Sequence, residues 1–197
     1  MSHGPGPRTT TNPYGREPDY PDPTRVTVID TLAPTLGRIR RKTWRRARDK
    51  ALAKWAPAGI GFRVRERDPE DFAPYVLYDG SIPAAFYGVS GKIRIVRMVG
   101  DMMAPGDAPD GTTYRSFATF AKRSDPQTGE RAPGAGIAVF DPWAPWWEDW
   151  WLKTLAADIG HEIGHTLGLA HRSDGGIMAG GWNPDEHDIE SLRSYYS

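Results

Sequence analysis

The sequence predicts an α+β domain, and three observations carry that prediction. Short β-branched or alternating stretches mark strands. Two longer stretches repeat their apolar residues with a helical period. The chain also holds 22 glycines and 18 prolines in 197 residues, too many turn formers for a compact helix bundle. The length suits one domain, long enough to bury a core.

Composition narrows the function classes. Hydrophobic residues make up 39% and charged residues 25%, which excludes a wholly disordered chain. No apolar run approaches the roughly 18–20 residues of a membrane span. The 25 basic and 25 acidic residues cancel, so net charge gives no reason to expect nucleic acid or another polyanion. Cysteine is absent, which excludes disulfides, a thiol nucleophile and cysteine-ligated zinc.

The elements follow in order. Residues 1–24 hold six prolines and three glycines and read as an extended, poorly ordered arm. They lack the basic start, apolar core and cleavage site of a secretory signal. The arm is expected to be removable, with the domain spanning 25–197. Arg25 to Ile29 is a β-branched strand. From Leu36 to Ala56 the pattern is helical: Trp44, Ala47, Ala51 and Trp55 share one face, and Pro57 and Gly59 stop the helix. Ile60 to Arg67 alternates as a strand, with Phe62 and Val64 against Arg63 and Arg65. Lys92 to Val99 is another strand, with Ile93, Ile95 and Arg97 on one face. Gly100 to Gly111 is a loop, Tyr114 to Lys122 has no clear pattern, and Ser124 to Gly134 is a turn. Gly136 to Phe140 is a short strand. A second long helix runs from Pro142 to about Gly168, and a last one from Pro184 to Tyr196.

Charge is segregated along the chain. Leu36 to Arg67 holds 12 basic and 2 acidic residues, whereas Asp141 to Ser197 holds 3 basic and 10 acidic. The ordinary reading is a helix with a solvated basic face. The sharper one is that Arg38, Arg41, Lys42, Arg45 and Arg48 touch an anionic partner. Trp143, Trp146, Trp147, Trp150 and Trp151 fall on one helix face. Packing against the sheet is the default, and an exposed aromatic patch is the alternative.

The stretch from His161 to His171 carries the chemistry. Residues four apart on an α-helix sit about 40° apart on one face, so His161 and His165 can aim at one ion. Zinc suits neutral imidazole nitrogens at about 2.0–2.1 Å. Glu162 lies about 100° round the helix, placed to reach a water on the metal and act as general base. An unbroken helix would carry His171 away. Gly168 can take the left-handed conformation that ends a helix and return His171 to the ion. Three histidines leave a fourth position open, the mark of a catalytic zinc site.

This stretch resembles the signature HExxHxxGxxH of the metzincin zinc endopeptidases. It is most similar to the matrixin form, through His161, Glu162, Gly164, His165, Leu167, Gly168, Leu169 and His171. The resemblance implies a metzincin-type zincin: a twisted mixed sheet with two long helices, then a small C-terminal subdomain. These are residues 25–171 and 172–197, with the cleft between them. It implies that Met178, in Gly175-Gly-Ile-Met-Ala-Gly180, is the Met-turn methionine, a hydrophobic base under the metal. It also implies that Gly136, Ile137, Ala138 and Val139 lie on the edge strand binding an extended peptide by β-addition. Ala179 to Pro184, with Trp182, would wall the pocket. Related enzymes bind calcium in loops such as the one holding Asp101, Asp107 and Asp110, where turn chemistry is the alternative.

The sequence departs from matrixins in several places. Arg172 stands where they carry serine, His3 and His187 are too few for their structural zinc, and no cysteine exists for their latency switch. The expected function is zinc-dependent hydrolysis of peptide bonds, with Glu162 activating a zinc-bound water. The rival is an inert metzincin-fold protein that binds a partner through its basic helix or tryptophan face. A monomer acting on peptide or protein substrates is expected, and the family resemblance makes an extracellular setting an expectation too.

Overall fold

The computed structural model describes residue 20 and residues 22–31, 41–67, 92–99, 102–103, 113–114, 116–119, 134–141 and 148–196. Val26–Thr31 forms β1, Arg41–Ala53 α1, Phe62–Arg67 β2 and Lys92–Val99 β3. Met102–Met103 and Thr113–Tyr114 form β4 and β5, a separate antiparallel pair. Ser116–Thr119 is β6, Gly134–Asp141 is β7, Glu148–Thr166 is α2 and Glu186–Tyr196 is α3. The main sheet runs β2-β1-β3-β7-β6, parallel except for β6.

Strand alternation puts one sheet face against the helices. Val26 and Val28 of β1 and Ile93 and Ile95 of β3 are buried, and Val28 pairs with both Val64 and Ile93. The face predicted from the spacing is the buried one, Trp44, Ala47 and Ala51 on α1 and Trp55 in the turn that follows it being at most 1% exposed; the helix ends at Ala53, short of the expected Ala56. On α2, Leu152, Leu155, Ala156, Ile159 and Ile163 are buried at helical spacing and complete the core between α1 and the sheet. Gly160 and Gly164, one turn apart, let Lys54 and Trp55, just past α1, and Ile177 and Met178 lie close to the α2 backbone. The Trp55 indole N–H donates to the Gly160 carbonyl at 3.1 Å.

Three expectations are corrected. The strand carrying Gly136, Ile137, Ala138 and Val139 is not an edge. β7 pairs with β3 on one side and with β6 on the other, so its hydrogen-bonding groups are engaged within the sheet. Among the described residues the outer strand on that side is β6. The boundary at Arg25 falls too late. Tyr20 is 2% exposed and belongs to the core, and Pro23–Arg25 forms a 3₁₀ turn capped by Asp22. Gly61 N–H donates to the Pro23 carbonyl at 2.9 Å, and a Cβ at Gly61 would lie 2.1 Å from the Thr24 carbonyl oxygen. Lastly, the basic face of α1 is not wholly solvated. Arg48 is 5% exposed, pairs with buried Asp30 and donates to Glu66 at 2.9 Å, while Arg45 pairs with Glu66. The Trp44 indole N–H also donates to Asp30, at 3.0 Å. Burial pushes the Asp30 carboxyl up, against the pull of Arg48 and Trp44.

Residues 1–19, Arg38, Asp101, Asp107, Asp110, Trp143, Trp146 and Trp147 lie outside the described residues. Among the described residues, no helix is long and apolar enough to cross a membrane.

Candidate metal centre

His161 and His165 lie one turn apart near the C-terminus of α2. The helix closes in a Schellman arrangement, because Leu169 N–H donates to the Gly164 carbonyl and Gly168 N–H to that of His165, both at 3.0 Å. Gly168 has φ +109°, a conformation that side chains resist, and a Cβ there would meet the Tyr195 ring at 2.9 Å. The turn brings His171 back as the spacing predicts. Its Nε2 lies 3.0 Å from those of His161 and His165, which are 3.1 Å from each other.

The donor chemistry of this triangle fits a zinc ion. The Nδ1–H of His161 donates to the Ile177 carbonyl at 2.7 Å, and that of His165 to the Leu169 carbonyl at 2.8 Å. Carbonyls only accept, so both Nδ1 atoms carry a hydrogen, and the Nε2 atoms are the ones that face inward as possible ligand atoms. Burial, with repulsion from its neighbours, pushes the His165 imidazole down to about 3, and burial also lowers that of His171. Imidazole nitrogens converging on one point can serve as a metal-ligand set. These three form a group able to hold an ion, and it is the one such group among the described residues.

Glu162 follows His161 on α2 and is 6% exposed. Behind the triangle, Ile177–Ala179 forms a 3₁₀ turn between Gly176 (φ +71°) and Gly180 (φ +85°). Met178 is 1% exposed and packs on the backbone of α2: a Cβ built at Gly164 would lie 2.4 Å from its Sδ. The next segment carries Trp182, which is 51% exposed and therefore not packed into the C-terminal subdomain. Lys54, at the end of α1, fastens that segment, since its Nζ donates to the Trp182 carbonyl and to Asn183 Oδ1, both at 2.6 Å. Burial, then repulsion from Lys50, pushes the Lys54 ammonium below its ordinary value.

Sequence reasoning found the three histidines and missed Lys54, Arg172 and Asp188. Lys54 carried no signal, because its partner lies 128 residues away. Arg172 did carry one, as the departure directly after the third histidine. It faces Asp174, Asp185 and fully buried Asp188.

No family model matches the sequence, and neither does any curated protein. Among solved structures, the chain matches the crystal structure of archaemetzincin from Methanopyrus kandleri. The TM-score is 0.57 at 18% identity, over 87% of this chain and 96% of that one. The chain therefore shares its fold with archaemetzincin.

Proposed function

We propose that the chain is a zinc-dependent endopeptidase of the metzincin type. The observation that carries the reading is the triangle of His161, His165 and His171, with two Nδ1 atoms anchored on carbonyls and Glu162 beside it on α2. The three histidines would hold the ion. When bound, zinc supplies Lewis acidity, making a carbonyl more electrophilic and a water more acidic.

The chain's own residues do the rest. Glu162 is the general base: its carboxylate takes the proton of the attacking water and later delivers it to the leaving amine. The peptide lies along β6, the outer strand on that side among the described residues, in place of β7. Met178 serves as the apolar floor of the Met-turn under the histidines. Ala179 to Pro184 walls the pocket on the far side, with Trp182 as its one bulky side chain. This reading stays at the level of the metzincins, since no observation ties the chain to the matrixin branch in particular.

The test is casein digestion with and without chelator, beside metal analysis. One zinc per chain and chelator-sensitive digestion are expected. Glu162→Ala should keep zinc and fold while losing activity by about 10²–10⁴-fold. Zinc bound by a wild-type chain with no peptidase activity would instead mark an inert binding protein.

A further inference from the structure

Arg172 directly follows His171, and its guanidinium donates four hydrogen bonds to carboxylates. Nε donates to Asp174 Oδ1 at 2.8 Å. Nη1 donates to Asp185 Oδ1 at 2.9 Å and to Asp188 Oδ1 at 2.7 Å, and Nη2 to Asp185 Oδ2 at 3.1 Å. Asp188 lies in the first turn of α3 and is 0% exposed. Its other oxygen accepts the Ile177 N–H at 2.9 Å and the Asp185 N–H at 3.3 Å. The carbonyl of Ile177 is the one that accepts the Nδ1–H of His161, at 2.7 Å. An unbroken line thus runs from Arg172 through Asp188 and the Ile177 residue to His161. The backbone closes it, because Arg172 N–H donates to the Met178 carbonyl at 3.2 Å.

We propose that Arg172 and Asp188 are positioning residues for the metal centre. The pair rests on the metal-site reading above and deepens it. Asp188 pins the Ile177–Ala179 turn at its N–H, which sets where the Ile177 carbonyl stands and so which tautomer and ring plane His161 adopts. Arg172 provides the counter-charge without which a buried carboxylate is strongly unfavourable. Its own anchoring fixes the chain one residue after His171. One ion pair therefore orients two ligands that come from different elements. The closeness is tight: a Cβ at Gly176, just before the turn, would lie 2.2 Å from Asp188 Oδ2. Hydrogen-bond partners of ligating histidines are worth about 10–100-fold in metal affinity.

A merely structural pair would hold α3 to the domain and leave the ligands indifferent to it. The experiment separates the two on the full chain, using Arg172→Met, Arg172→Lys and Asp188→Asn. Zinc affinity is measured by competition with a chelating dye, and the visible absorption of the cobalt(II) form reports ligand geometry. Circular dichroism fixes a temperature at which each variant is folded. The expected result is a weaker zinc affinity, by up to about 10–100-fold, and an altered cobalt spectrum for Arg172→Met and Asp188→Asn. Arg172→Lys, which keeps the counter-charge and is the variant least at risk of unfolding, should recover part of both. Lower melting temperatures with unchanged affinity and cobalt spectrum in the folded variants would overturn the proposal. A wild-type chain that binds neither zinc nor cobalt would instead overturn the metal-site reading itself.

Discussion

Gly164 sits inside α2, where a change to alanine ordinarily helps. Alanine is favoured over glycine by about 0.8–1.0 kcal/mol in a helix interior. The packing argues the other way. A Cβ at Gly164 would stand 2.4 Å from Met178 Sδ, 2.9 Å from Trp55 Cζ2 and 3.2 Å from Trp55 Cη2. Good carbon contacts need about 3.5–4.0 Å, so both neighbours must retreat. Neither does so cheaply: Met178 is 1% exposed, and Trp55 is fully buried with its indole N–H tied to Gly160. Overpacking costs about 1–3 kcal/mol, and two blocked neighbours place this case at the upper end. The net for Gly164→Ala is then a loss of about 2 kcal/mol, or about 4–8 °C in melting temperature for a domain of this size. Gly160→Ala is the control. Its Cβ would meet Ile177 Cδ1 at 2.9 Å and Lys54 Cδ at 3.0 Å, neither as close as the 2.4 Å to Met178 Sδ at Gly164. There the helix propensity should roughly cancel the crowding. Thermal unfolding followed by circular dichroism measures both. A Gly164→Ala protein as stable as wild type, or more so, would refute the close-packing argument.

Three further outcomes are expected. Deleting residues 1–24 should destabilise the protein and deleting 1–18 should not, because Tyr20 is 2% exposed in the core; Tyr20→Ala alone should cost about 3–5 kcal/mol in chemical denaturation. The Arg45 guanidinium, with Arg48, holds the Glu66 carboxyl down at about 2 against a usual 4.5. A depressed carboxylate contributes stability above its unfolded value and loses it as pH falls toward the folded one. Urea denaturation of Glu66→Gln should therefore show a shallower loss than wild type between about pH 4.5 and 2, and parallel curves would contradict the pairing. Trp182, which is 51% exposed and lies past the buried Met178, should limit the pocket to small or medium residues after the cut bond. Trp182→Ala should widen the choice in peptide-library profiling with zinc binding unchanged, and identical profiles would remove Trp182 from the pocket.

What the sequence determined by itself was local. The spacing of His161, Glu162 and His165 needs only the helix period, and the return of His171 needs only a glycine able to take φ +109° at position 168. The buried face of Trp44, Ala47, Ala51 and Trp55 was legible for the same reason, since near neighbours on a helix report their side by periodicity. A β-branched run likewise identified β1, and alternation identified β2 and β3. Alternation, however, does not name a strand's neighbours. Only the tertiary structure decided that β7 is internal and that β6 stands outside it. Charge pattern does not name counter-charges either. Arg45 and Arg48 read as a basic face until Glu66 and Asp30, brought in by β2 and β1, met them. Arg172 read as a departure from a motif until the chain folded Asp188 beneath it, 16 residues on. These pairings depend on which distant segments the fold brings together, and no window along the chain contains both partners.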